Sequence, residues 1–233
     1  AENLDASMLG NVYHNTMRAL YLSKEDMLSD APFDKLEENK TKGMDRIDAE
    51  YLRFWLKPEG RAIVRARILS FIRHELGAPE VKGRNLVTAK VIEKYVIQTI
   101  ERDLEYLKER NASYFEIIGL ELPGKAKIGS LRFKGVIDRV DKVGGEVRGV
   151  DYKTGRDDPS SLEVVPGKEG ALADKVFSDK HSTRKAVKAV LQFHIYDKML
   201  RDSVIGPDTP VCNSMYSAPG LLTSAVRVNE ASA

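Results

Sequence analysis

The chain has 233 residues, 42% of them hydrophobic and 31% charged, with a formal net charge of +2. That length suffices for one domain with a sizeable core. The single cysteine, Cys212, excludes a disulfide framework and fits a reducing cytoplasm, and no apolar run reaches the length of a membrane span. The N-terminal stretch has neither a basic nor an apolar region of the kind a secretory signal carries. A near-neutral charge gives no chain-wide signature of nucleic-acid binding, so such a function must rest on local clusters.

Residues 5–22 read as a helix with Leu9, Val12, Tyr13, Met17 and Leu20 on one stripe and His14 beside it. Residues 25–42 are polar and mixed and read as a loop or short helices. Helices are expected over 44–57, with Phe54 and Trp55 in the core, and over 59–76, where Gly77-Ala78-Pro79 gives the stop. A longer one is expected over 86–110, with Val91, Ile92, Tyr95, Val96, Ile100 and Leu104 on one face and its many charges on the wet face.

From Ser113 the pattern changes to period two. Three consecutive strands are expected at 113–122, 130–142 and 146–153, and Gly144-Gly145 is a strong two-residue turn signal between the last two. Counting outward from that turn pairs Val143 with Glu146, Lys142 with Val147 and Asp141 with Arg148, and it sets Asp138 opposite Asp151. Lys153 shares the face of Asp151 because side chains alternate along a strand. Acidic groups facing each other across a ladder repel. A divalent cation between them removes that cost, and oxygen donors of this kind suit Mg²⁺ or Mn²⁺. Glu116 and Glu121 on the first strand lie within reach of such an ion, Glu121 being the better candidate. The plain alternative is that these acids are merely solvated strand residues.

Residues 156–180, rich in Gly, Pro, Asp and Ser, read as a long excursion near this site. A helix over 182–202 follows, with Gln192 and Tyr196 one turn apart on one face, Leu191, Ile195 and Met199 packing on the sheet, and His194 turned elsewhere. Lys180, His181, Arg184, Lys185 and Lys188 lead into it, either as a phosphate-contacting cluster or as a solvated face. A last strand is expected over 209–217. Strand, helix, strand in that order implies a mixed sheet with a crossover. The expected fold is therefore α/β, a central mixed β-sheet flanked by helices, with a helical N-terminal half.

Taken together, Gly135 to Asp141, Val150 to Gly155, Gln192 with Tyr196, and Gly10 with His14 resemble the PD-(D/E)XK nuclease superfamily, and within it the RecB/AddB-like nuclease domains of double-strand-break repair. The resemblance covers His14 and the block from about Ser113 to Leu200. It implies a restriction-endonuclease-like core and metal-dependent hydrolysis of DNA phosphodiesters, with Mg²⁺ or Mn²⁺ as cofactor. By the same resemblance Asp138, Asp151 and the Tyr152 carbonyl are metal ligands joined by His14, Lys153 orients or activates the attacking water, either as base or as a charged group that stabilises the phosphate, and Gln192 and Tyr196 brace the site and meet the DNA. Some relatives hold an iron–sulfur cluster on four cysteines; one cysteine cannot do so. No Gly-x-x-x-x-Gly-Lys-(Ser/Thr) stretch occurs, so the chain is not the motor of a helicase–nuclease machine, although a helicase domain or subunit is an expected partner beside DNA. Residues 1–233 are expected to form one nuclease domain, mainly helical over 1–110 and α/β over 111–233, taken from a longer cytoplasmic protein. Two rivals remain: a degenerate domain that binds DNA ends or a partner subunit without turnover, and a metal-dependent hydrolase of another substrate.

Overall fold

Asp5 starts the first helix, α1 (Ala6–Leu22), by accepting a hydrogen bond from the Met8 N–H at 2.8 Å. The computed structural model describes residues 3–33, 42–155, 181–206, 208–218 and 226–227, with 181–190 and 226–227 described by backbone alone. The excursion expected over 156–180, Lys180 with it, and most of 34–42 lie outside the described residues, as do the side chains of His181, Arg184, Lys185 and Lys188.

A short α2 (Lys24–Leu28) follows α1. The helix expected over 44–57 is shorter than its periodicity suggests, because Asp48 ends a two-residue strand, β1 (Ile47–Asp48), and caps α3 (Ala49–Leu56) through the Tyr51 N–H at 2.9 Å. Pro58 opens α4 (Pro58–Leu76), which stops where Gly77 takes a φ of 61°. Then comes α5 (Arg84–Glu109). Trp55 is fully buried and Phe54 partly so. Val91, expected on the inner face of α5, is exposed, and Asp103, expected on the wet face, is completely buried.

The strands are β2 (Tyr114–Ile128), β3 (Leu131–Val143), β4 (Glu146–Lys153), β5 (Val211–Ser217) and β6 (Val226–Arg227), and α6 (His181–Ser203) stands between β4 and β5. Among the described residues they form one mixed sheet in the order β1-β2-β3-β4-β5-β6, antiparallel except for β4 beside β5. This is the expected α/β architecture, with α6 as the crossover that a parallel pair requires. The β3/β4 register runs Val143↔Glu146, Lys142↔Val147, Asp141↔Arg148, Val140↔Gly149 and Arg139↔Val150, as the Gly144-Gly145 turn implied.

The sheet is packed on both faces. One face carries the core shared with α1, α3, α4 and α5, including Tyr13, Leu20, Trp55, Ile68, Ile100, Phe115, Leu120, Val150 and Tyr152. The other face meets α6 through Phe193, Tyr196, Met199 and Leu200, against Ala126, Ile137, Val140, Val147 and Met215. Leu191 lies outside this contact, exposed, and Ile195 is only partly buried.

The strand expected to end at Leu122 runs six residues further, to Ile128. Pro123 and Gly124 are weak strand formers, yet each fits where it sits. Among the described residues no strand pairs with β2 on the edge away from β3 beyond Tyr114 and Phe115, so the N–H that Pro123 lacks leaves no ladder there unmade. A Cβ on Gly124 would stand 2.9 Å from Met199 Sδ, so the bare backbone is what lets α6 lie this close. A Cβ on Gly135, its cross-strand partner, would stand 3.4 Å from Cε of the same methionine.

Candidate active site

Two irregularities in β2 aim the site. The first is a register shift between Ile117 and Gly119. After it the pairs run Leu120↔Arg139 and Leu122↔Ile137, and the same count sets Glu121 opposite Asp138. Without the extra residue Glu121 would oppose Ile137. The second lies at Glu121 itself, whose φ is 48°, the left-handed region that a residue other than glycine seldom adopts. Residues two apart on a strand normally share a face. Here Leu120 and Arg139 face the helical layer, whereas Leu122 and Ile137 face α6. Glu121 and Asp138 stand at the reversal. Bulges beside sites that need a side chain re-aimed are a recurrent device.

α1 brings His14 to the same place. Its Nδ1 lies 3.6 Å from Asp138 Oδ1, and its Nε2 lies 3.0 Å from the Tyr152 carbonyl oxygen. A Cβ on Gly10, one turn earlier, would stand 3.6 Å from Thr154 Oγ1, so α1 runs close along the end of β4. Asp138 Oδ2 accepts the Tyr152 N–H at 2.7 Å, which joins β3 to β4 just beyond their last backbone pair. His14, Glu121 and Asp138 each offer one donor atom, all within 4.8 Å of one another.

Asp151 points the other way, toward α6. Its Oδ1 accepts from Gln192 Nε2 at 2.7 Å and lies 3.0 Å from the Tyr196 hydroxyl. That hydroxyl also lies 3.2 Å from the Val136 carbonyl and accepts from Gln192 Nε2. Burial first, then the Asp151 charge, push Tyr196 well above its ordinary range, so it stays a neutral donor. Asp151 Oδ2 is 2.8 Å from Lys153 Nζ but has no directed hydrogen bond, although the residue is buried. The Lys153 side chain is 35% exposed and so faces solvent from one side of this knot.

The residues singled out in the sequence thus fall into two adjoining groups: His14, Asp138 and the Tyr152 carbonyl in one, and Asp151, Lys153, Gln192 and Tyr196 in the other. Glu121 joins the first group through the bulge, a feature the strand pattern alone did not carry. Glu116, the other acid considered, pairs with Lys142 in register, away from this cluster. His194 is exposed on α6.

The donor set suits a divalent cation: one imidazole and two carboxylates converge at a partly buried point, with the Tyr152 carbonyl beside the imidazole. The electrostatics agree. Burial, then the charges of Asp151 and Glu121, raise the Asp138 carboxyl to about 7, with His14 and the Tyr152 N–H opposing. Burial likewise raises Glu121. A cation among these oxygens would favour their charged forms, offsetting the burial of both and, at Asp138, the neighbouring negative charges.

A test of this strain follows in the metal-free protein. Because Asp138 titrates higher folded than unfolded, the stability it confers is complete below its unfolded value near 3.8 and is lost as pH rises through about 7. In EDTA, thermal stability is expected to fall from pH 5 to pH 8 more steeply in wild type than in Asp138→Asn. Equal pH slopes in the two proteins would remove this account of the site.

Among the described residues no helix is long and apolar enough to cross a membrane. No curated protein and no solved structure matches the chain. A family model does, over residues 1–203, and that span takes in α1 with His14, the β3/β4 pair with Asp138, Asp151 and Lys153, and α6 with Gln192 and Tyr196. The chain belongs to the PD-(D/E)XK nuclease superfamily.

Proposed function

We propose that this protein is a divalent-metal-dependent deoxyribonuclease, an exonuclease with Mg²⁺ or Mn²⁺ as cofactor, serving as the nuclease part of a RecB/AddB-like enzyme of double-strand-break repair and recombination. The observation that carries the reading is the convergence of His14, Glu121 and Asp138, with the Tyr152 carbonyl against His14, beside the Asp151–Lys153 pair, within a chain of this superfamily. The order of motifs, with Gly10 and His14 on α1 and Gln192 and Tyr196 on α6, supports the RecB/AddB-like branch.

Asp138, Glu121, His14 and the Tyr152 carbonyl would hold the cation, beside Asp151, whose carboxylate is turned to Gln192 and Tyr196. A divalent cation held there lowers the pKa of its bound water and polarises the phosphoryl oxygen. Gln192 and Tyr196 fix the Asp151 carboxylate, which in turn holds the Lys153 ammonium at 2.8 Å. Lys153 orients the attacking water and offers positive charge to the phosphate oxygens as their charge grows. Its solvent-facing side leaves a path for the strand to reach it.

End-labelled linear single- and double-stranded DNA, covalently closed circular DNA and a small phosphodiester, each with Mg²⁺, Mn²⁺ or EDTA, test the proposal. Metal-dependent shortening of linear DNA with the circle left intact is expected. Turnover of the small ester with no action on any DNA would move the protein to a different class of phosphoesterase.

A further inference from the structure

The far half of the β2–β3 hairpin, which the proposed chemistry does not use, carries a row of cations. Lys125 pairs with Lys134 and Lys127 with Arg132, directly across the ladder. Partners in register share a face, as do residues two apart. All four cations therefore project from one face, while Ala126 and Phe133 between them pack toward α6. Like charges placed opposite one another cost stability. Among the described residues none of the four has an acidic partner, and Asp202, the one carboxylate lining the concavity beside them, is taken by Lys198.

This face is continuous with the metal-ligand cluster. Arg132, Lys134, Val136 and Asp138 alternate with Phe133 and Ile137, which face α6, and Lys127, Lys125, Pro123 and Glu121 follow the same rule on β2. At about 3.3 Å per residue, Lys134 stands roughly 13 Å and Arg132 roughly 20 Å from Asp138. With one phosphate per ~3.4 Å along a strand of duplex, that is a reach of about four to six nucleotides. Beyond the cations Ile128 and Leu131, 41% and 63% exposed, face each other across the Gly129-Ser130 turn and give the tip an apolar pair.

We propose that this hairpin is a second DNA contact, in which Lys125, Lys127, Arg132 and Lys134 grip the phosphate backbone about four to six nucleotides from the scissile bond. The inference rests on the nuclease reading above. Phosphates supply the counter-charge that the described residues do not give these four side chains, and the apolar tip meets sugars or bases.

The test is binding of the full chain, in EDTA, to a fluorescent DNA duplex over a range of salt. The variant Lys125→Gln/Lys127→Gln/Arg132→Gln/Lys134→Gln is compared with wild type and with Lys57→Gln/Arg61→Gln/Lys90→Gln/Lys94→Gln, which removes equal charge from exposed positions on and next to α4 and α5. Each lost phosphate contact lowers the salt slope by about 0.9, so the hairpin variant is expected to lose about 3 to 4 units of slope and to bind at least about tenfold more weakly. The control variant is expected to keep its slope. Removing facing like charges should leave the melting temperature of the hairpin variant unchanged or higher, which separates lost contact from lost fold. An unchanged slope in the hairpin variant, or an equal loss in the control, overturns the inference. If wild type cleaves DNA in a Lys153-dependent manner while the hairpin variant binds as wild type does, only the hairpin assignment fails. If wild type neither binds nor cuts DNA, the nuclease reading fails with it.

Discussion

Replacing Asp103 with alanine is expected to destabilise the protein by about 3–5 kcal/mol, the usual cost of leaving a buried charge without its partner. Asp103 sits on α5 at the centre of a fully buried ionic group. Arg139 grips it with both Nη atoms, at 2.7 and 2.8 Å, and Arg148 reaches it at 3.2 Å. Arg148 also holds Asp141 through two hydrogen bonds of 2.9 and 2.7 Å. The hydroxyls of Tyr216, at 2.8 Å, and Tyr21 also donate to Asp103. Two cations and two anions balance. Removing Asp103 leaves two buried guanidiniums sharing one carboxylate. Burial alone would raise the Asp103 pKa, but Arg139 and Arg148 hold it well below the carboxylate range. Its contribution is therefore present above its unfolded value near 3.8 and is lost as pH falls further below that. Urea denaturation at pH 7 reads the effect directly, against a total stability of about 5–15 kcal/mol for a typical domain. A loss below about 1 kcal/mol would show that the group contributes little net stability. Because Arg139 adjoins Asp138 and Arg148 lies on the strand of Asp151, this group also fixes β3 and β4 beneath the site.

Lys153→Ala is expected to lower the rate of metal-dependent DNA cleavage by about 10²–10³, the typical cost of removing one preorganised group from developing charge. The loss should fall on kcat more than on KM, since the ammonium acts on charge that grows toward the transition state. The melting temperature should change little, because this side chain is 35% exposed and touches one carboxylate. A variant that retains wild-type kcat would take Lys153 out of the chemistry, whatever its effect on binding.

How far the sequence carried this account depends on the kind of information each feature needs. The Gly144-Gly145 turn fixed the β3/β4 register by counting, down to Asp141 facing Arg148, because a hairpin is a local object. The crossover through α6 followed from the order strand, helix, strand. Three things were not legible. The extension of β2 beyond Leu122 was hidden by Pro123 and Gly124, whose tolerance depends on an open strand edge and on Met199 arriving from a helix far along the chain. Glu121 is the better of the two acid candidates, but the bulge and positive φ that place it have no marker in the local sequence. Asp103 looked like one more wet-face charge on a charged helix, and only the partners on β3 and β4 make it a buried one. Counting also set Asp138 and Asp151 opposite each other. The reversal of facing at Asp138 instead turns the two carboxylates to different neighbours, His14 for one and Gln192 with Tyr196 for the other.

The central claim is that the two groups of residues form one metal-dependent nuclease site. Wild type and Asp151→Ala, purified in parallel, should be compared on end-labelled linear DNA with Mg²⁺ and with EDTA. Cleavage by wild type in Mg²⁺ alone, lost in Asp151→Ala, is the predicted result. Cleavage of equal rate by both proteins in Mg²⁺ would contradict it.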